Sequence, residues 1–127
     1  MNGGTGKDSM TGGAGDDTFQ VAEADTAVNI AGADTIEDFD GAGLVNGPGV
    51  DKDHLTFDVD LGMGAGYANV LGTTVIGPNT YAVINFGEGS GPDHVVNVNF
   101  SDFTNDAAGQ AAGGAAFVAD AAAYDFV

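Results

Sequence analysis

Residues 3–20 read Gly-Gly-Thr-Gly-Lys-Asp-Ser-Met-Thr and then Gly-Gly-Ala-Gly-Asp-Asp-Thr-Phe-Gln, a nine-residue unit written twice as Gly-Gly-x-Gly-x-Asp-x-apolar-x. This period constrains the fold more than any other feature, because each unit must repeat the same turn and the same strand. The glycine-rich first part of a unit predicts a turn, since glycine accepts backbone conformations closed to other residues. The last three residues predict a short strand whose middle side chain, Met10 or Phe19, faces a core. The pattern continues in weaker form. Asp25-Thr26 and Asp34-Thr35 follow Asp8-Ser9 and Asp17-Thr18 at spacings of nine, eight and nine residues. Around Asp25 the glycines are lost and Ala27 takes the inward position, whereas Asp34 keeps Gly32 before it and Ile36 after it. Four turns are therefore expected, two intact, one degraded and one half-preserved.

The spelling of the unit suits a hard cation. Calcium takes about six to eight oxygen ligands at about 2.3–2.6 Å. Glycine turns supply inward carbonyls, and the sixth residue of each unit supplies a carboxylate. The candidate calcium donors are the turns of Gly3, Gly4, Gly6, Gly12, Gly13, Gly15 and Gly32, with the carboxylates of Asp8, Asp17, Asp25 and Asp34. If turns n and n+2 stack on one edge of a roll, calcium would lie between the Asp8 and Asp25 turns and between the Asp17 and Asp34 turns. A flexible acidic linker is the alternative, and the in-phase Met10 and Phe19 argue against it.

The net charge of −17, with Lys7 and Lys52 as the only basic residues, excludes a nucleic-acid or anionic-membrane surface, because both need a basic face. With no Cys, disulfides and thiolate metal sites are excluded. No apolar run approaches the ~20 residues of a membrane span, so membrane insertion is not expected. Met1 leads directly into glycine-rich sequence with no charged-then-apolar leader, so export would need another address.

Asp-Thr-Ile-x-Asp-Phe at 34–39, followed by Gly-Val-Asp-x-x-x-Leu at 49–55, resembles the C-terminal module of serralysin-type secreted metalloproteases and related RTX (repeats-in-toxin) proteins. The resemblance covers residues 3 to about 60 and departs in the longer loop 41–48, which leaves Asp51 and Asp53 without a definite place. It implies a calcium-binding β-roll passing into a β-sandwich-like cap. It also implies that Asp38 and Asp40 complete a last calcium site; an acidic strand edge is the equal alternative.

From Leu55 the period becomes alternation, with Leu55, Phe57 and Val59 on one face. Runs 70–76 and 81–86 are apolar and β-branched around the turn signal Gly77-Pro78-Asn79. In 95–100, Val96, Val98 and Phe100 alternate with Asn97 and Asn99. His54 and His94 each follow an Asp at a strand start and read as edge residues rather than a transition-metal pair. The tail from Asp106 is Ala-rich, with Gly109, Gly113 and Gly114 expected to interrupt any long helix. Residues 115–123 could form a short helix or a final strand. The end Tyr124-Asp125-Phe126-Val127 looks like a shortened type I secretion signal, an acidic residue followed by apolar ones.

The expected fold is all-β: a short parallel calcium β-roll over residues 1–40, a β-rich antiparallel sandwich-like cap over 41–105, and a short Ala-rich C-terminal segment over 106–127. No catalytic constellation is present. The chain has no His-Glu-x-x-His, no Gly-x-Ser-x-Gly elbow and no phosphate loop, so it is not expected to be an enzyme. The expected function is a calcium-dependent folding and export module of a secreted, extracellular bacterial protein, with calcium ions and type I secretion machinery as partners. The alternative is a calcium-dependent self-associating element of a surface layer or matrix.

Overall fold

The structure, a computed structural model, describes residues 8–22, 33–41, 52–58, 68–86, 95–120 and 123–126. The elements are β1 (Ser9–Met10), β2 (Thr18–Ala22), β3 (Asp34–Phe39), β4 (His54–Asp58), β5 (Ala68–Ile76), β6 (Asn79–Phe86), β7 (Val95–Phe100), α1 (Ala107–Ala119) and β8 (Tyr124–Phe126). The described chain is thus mostly β-sheet with one helix.

The strands form a five-stranded sheet, β1-β3-β7-β6-β5, and a three-stranded sheet, β2-β4-β8. The first four strands alternate between the two sheets and pair in parallel, β1 with β3 and β2 with β4. β7 continues the first sheet in parallel beside β3, and β8 continues the second beside β4. β5 and β6 form an antiparallel hairpin that extends the five-stranded sheet from β7. Its connection is the expected turn, with Gly77 at φ +59°, a conformation that glycine adopts without a Cβ penalty. One sheet therefore runs from the glycine repeat to the hairpin, across residue 40.

The main core joins residues of both sheets. Met10, Phe19, Ile36 and Leu55, the inward residues of the first four strands, are all buried. Phe39 lies at the centre: its ring is 6.1 Å from Phe19, 5.7 Å edge-on from Phe100 and 5.2 Å edge-on from Phe117. Such tilted and edge-to-face pairs add about 0.5–1.5 kcal/mol each beyond the area they bury. The alternation in β7 is present, yet every residue of that strand is buried. Val96, Val98 and Phe100 enter the main core, while Val95 joins Ala33 and Val83 in a second cluster. Asn99 is satisfied there by donating to the Thr80 carbonyl at 2.8 Å.

The tail departs from expectation. Gly109, Gly113 and Gly114 lie inside a thirteen-residue helix rather than breaking it. Their role is close approach. A Cβ on Gly109 would fall 2.0 Å from Thr104 Oγ1, one on Gly113 2.8 Å from Phe100 Cβ, and one on Gly114 3.0 Å from Val70 Cγ2. Packing on β5, β6 and β7 thereby offsets weak intrinsic propensity. Asp106 caps the N-terminus by accepting from the Gly109 N–H at 2.7 Å. Gln110, fully buried, accepts from the Phe100 N–H at 2.7 Å and donates to the Phe100 and Thr104 carbonyls at 3.1 and 3.0 Å. Beyond the helix, 124–126 forms the final strand, so this tail supplies both a helix and a strand.

Gly113→Ala tests the close-packing role. Ala gains about 1 kcal/mol of helix propensity over Gly, but the forced displacement of Phe100 should cost more, for a net loss of about 1–2 kcal/mol. Urea unfolding reads the sign; a raised midpoint would show that the helix glycines are not needed for packing.

Candidate metal centre

An Asp opens β3 and immediately precedes β1, β2 and β4, and the same arrangement is built twice. The Asp8 N–H donates to Asp34 Oδ1 at 2.8 Å, and the Thr35 N–H returns to the Asp8 carbonyl at 2.8 Å. One level on, the Asp17 N–H donates to Asp53 Oδ1 at 2.9 Å, and the His54 N–H returns to the Asp17 carbonyl at 2.8 Å. The expected Asp17–Asp34 stacking is thus replaced by Asp17 with Asp53, and the expected Asp8–Asp25 stacking falls on Asp25, outside the described residues. Asp8 neighbours Asp34, and the Asp17 turn neighbours Asp53. Register explains the correction. β1 lies beside β3, with Met10 opposite Ile36, and β2 lies beside β4, with Phe19 opposite Leu55, so large inward side chains are matched at both levels.

Asp53 was legible in principle. Asp53-His54-Leu55 repeats the Asp-x-apolar of Asp8-Ser9-Met10, Asp17-Thr18-Phe19 and Asp34-Thr35-Ile36, but it follows a long loop and lacks the glycines of an intact unit. Gly3, Gly4, Gly6, Asp25, Gly32, Asp51 and His94 lie outside the described residues. His54 opens β4.

The Gly12–Asp17 turn is described in full. Gly13 and Gly15 have φ of +87° and +96°, the left-handed region that a side chain would strain. Gly12 is needed for a different reason: a Cβ there would fall 2.6 Å from Asp17 Oδ2. On the other side of the turn, Asp38 accepts from the Gly12 and Gly13 N–H groups, one on each oxygen, both at 2.8 Å. Asp16 accepts from the Lys52 N–H at 2.7 Å, and Asp40 accepts from the Ser101 hydroxyl. Lys52 itself is buried, paired with Asp120 at 2.5 Å, and ties the approach to β4 to the end of α1.

Two carboxylate oxygens stand apart. Asp8 Oδ2 and Asp17 Oδ2 are buried and have no hydrogen-bond partner. They occupy equivalent positions of the two intact units. A buried carboxylate oxygen without a donor carries a desolvation cost, and a hard cation is the group that relieves it with oxygen ligands. These residues fit calcium in charge and donor type. Among the described residues, no group of three or more His, Asp or Glu side chains converges on one point as a metal-binding cluster.

Asp53 carries the clearest electrostatic signature. Burial pushes its carboxyl up to about 6 from the ordinary 3.8; the N–H groups of Asp40 and Asp17 oppose the shift, and the charges of Asp40 and Asp17 add to it. On the five-stranded sheet, Ser9 Oγ at 2.7 Å and the Tyr81 hydroxyl both donate to the Glu37 carboxylate. Burial first, then the bond to Glu37, raises the Tyr81 hydroxyl above its ordinary value of 10.0.

Comparison with protein-family models, curated proteins and solved structures finds no match for this chain.

The Asp53 shift has a defined consequence for the protein in chelator. The folded state holds a proton that the unfolded state releases from about pH 4, so the Asp53 contribution is full below about pH 4 and is lost as pH rises to about 6. Urea unfolding across that window should show stability falling, with a shallower fall in Asp53→Asn. An equal slope in both proteins would show that Asp53 is not the titrating group.

Proposed function

We propose that this chain is a calcium-binding module of a bacterial protein exported by type I secretion, folding as calcium binds outside the cell. The observation that carries the reading is the recurrence of a buried carboxylate oxygen without a donor, Asp8 Oδ2 and Asp17 Oδ2, at the same place in two glycine-turn units. The acidic balance of −17 and the resemblance of residues 3 to about 60 to RTX modules support it.

In this reading Asp8 and Asp17 would hold calcium, with the glycine turns supplying carbonyl oxygen. The ion supplies positive charge, and its binding free energy becomes folding free energy. The chain's own residues do the rest. Without a cation, Asp8, Asp34, Asp17, Asp53, Asp38 and Asp40 gather like charge at the turns, which opposes closure. With that charge neutralised, β1 and β2 can dock on β3 and β4, and the five-stranded sheet gains its first strand. Extracellular calcium modules bind at about 10⁻⁴–10⁻³ M, an affinity that leaves them empty in the cytosol and filled outside. The C-terminal Asp125-Phe126-Val127 would serve the export machinery.

A second reading, a self-associating element of a surface layer or matrix, draws on β5. This strand ends the five-stranded sheet and exposes Val75 (70%) and Leu71 (39%). Sedimentation with and without calcium separates the two. A monomer in both conditions supports the folding module, and a calcium-dependent assembly supports the second reading.

Calcium titration followed by circular dichroism should show ordering of residues 1–40 at neutral pH. Asp17→Ala should weaken calcium binding by about tenfold or more, whereas Asp58→Asn, the same charge change at the end of β4, should have little effect. Identical spectra in calcium and in chelator would remove the switch. Equal effects of the two substitutions would point to general charge instead of ligation.

A further inference from the structure

Asp38 was expected to be a calcium ligand at the end of the repeat, or part of an acidic strand edge. The hydrogen bonds give it a different task. Both of its oxygens are directed at the backbone of another unit: the Gly12 N–H meets Oδ1 and the Gly13 N–H meets Oδ2, each at 2.8 Å. Two successive N–H groups around one carboxylate form a small anion-binding concavity. Each bond is charge-assisted and stronger than a neutral one. Because a trans peptide is planar, its N–H and C=O point in opposite directions. The Thr11 and Gly12 carbonyls are therefore directed away from Asp38.

On Gly12 itself, the position a Cβ would take lies 2.6 Å from Asp17 Oδ2, so the glycine leaves room for that carboxylate. Asp17 Oδ2 is also one of the two buried carboxylate oxygens without a donor among the described residues. The turn is thus gripped from one side by Asp38 through its N–H groups, while Gly12 admits the Asp17 carboxylate against its α-carbon. Asp38 comes from β3, whose first residue, Asp34, grips the Asp8 N–H in the same manner. One strand holds the preceding turns at both of its ends.

We infer that Asp38 is a positioning residue of the Gly12–Asp17 turn, acting on a bound cation only through the Gly12 and Gly13 amides. It sets the direction of the turn's carbonyls and does not itself join the ligand shell. This rests on the calcium reading above. It separates Asp38 from Asp8 and Asp17, whose unpartnered oxygens would be the ligands.

The test is calcium binding by isothermal titration calorimetry on the full chain and on Asp38→Ala and Asp38→Asn, with the Gly12 and Gly13 amides followed by NMR hydrogen exchange at saturating calcium. Loss of a group that orients metal ligands through hydrogen bonds costs about 10–100-fold in metal affinity. Asp38→Ala should weaken binding within that range with the number of bound ions unchanged. Gly12 and Gly13 should lose exchange protection, and added acetate should recover part of the affinity by refilling the concavity. Asp38→Asn, which keeps one acceptor, should fall between the two, and it decides the matter if Asp38→Ala does not fold. Unchanged affinity and protection would overturn the inference. Loss of one bound ion, with both amides still protected, would also overturn it by making Asp38 a ligand. Absence of calcium binding by the unaltered chain would overturn the calcium reading itself, which the variants alone cannot do.

Discussion

Carboxylates that accept backbone N–H groups hold the early turns of this chain in place. Asp34 grips Asp8, Asp53 grips both Asp17 and Asp40, and Asp38 grips Gly12 and Gly13. In a chain of net charge −17 the same side chains that repel one another also accept the N–H groups of residues leading into the strands. A carboxylate bound to one or two amides is strongly oriented. Asp8 Oδ2 and Asp17 Oδ2, by contrast, are buried without donors. The proposed calcium role grows from this imbalance between many acceptors and few donors.

The core depends on those grips. Parallel strands of two to six residues bury too little alone to be stable. β1 is only two residues long, so its place beside β3 relies on the Asp8–Asp34 bonds and on Met10 opposite Ile36. Phe39 then brings the layers together, touching Phe19 of the three-stranded sheet, Phe100 of β7 and Phe117 of the helix. The helix closes the hairpin side of the five-stranded sheet, its glycines let it approach Phe100 and Val70, and its Phe117 lies at a centroid distance of 4.9 Å from Tyr124 of the three-stranded sheet. The approach to β4 is tied to the end of α1 by the ion pair of buried Lys52 with half-buried Asp120. Replacing only one partner of such a pair would leave a buried charge uncompensated.

Local chemistry was readable where a residue acts on its own turn or strand. Gly13 and Gly15 have the left-handed conformation that the repeat spelling requires. Met10, Phe19 and Ile36 are buried as the period demands, and the Gly77-Pro78 turn sits where the dipeptide places it. Contacts between distant segments were not readable. Asp34 and Asp38 look alike in sequence, yet one meets Asp8 and the other Gly12 and Gly13. Asp53 belongs to the same ladder but stands nineteen residues beyond Asp34, past a long loop. The helix was misread because propensity penalises Gly109, Gly113 and Gly114, while the contacts that justify them, with Thr104, Phe100 and Val70, are tertiary.

By itself, the sequence determined the repeating turn, the side of each strand that faces inward and the abundance of oxygen donors, because these follow from backbone sterics, side-chain period and charge. Only the tertiary structure decided which turn lies beside which, and so which carboxylate is spent on an amide and which is left bare. That choice depends on strand pairing, where the matching of Met10 with Ile36 and of Phe19 with Leu55 settles the register. No local pattern encodes it, because every Asp-x-apolar unit offers the same edge to every other.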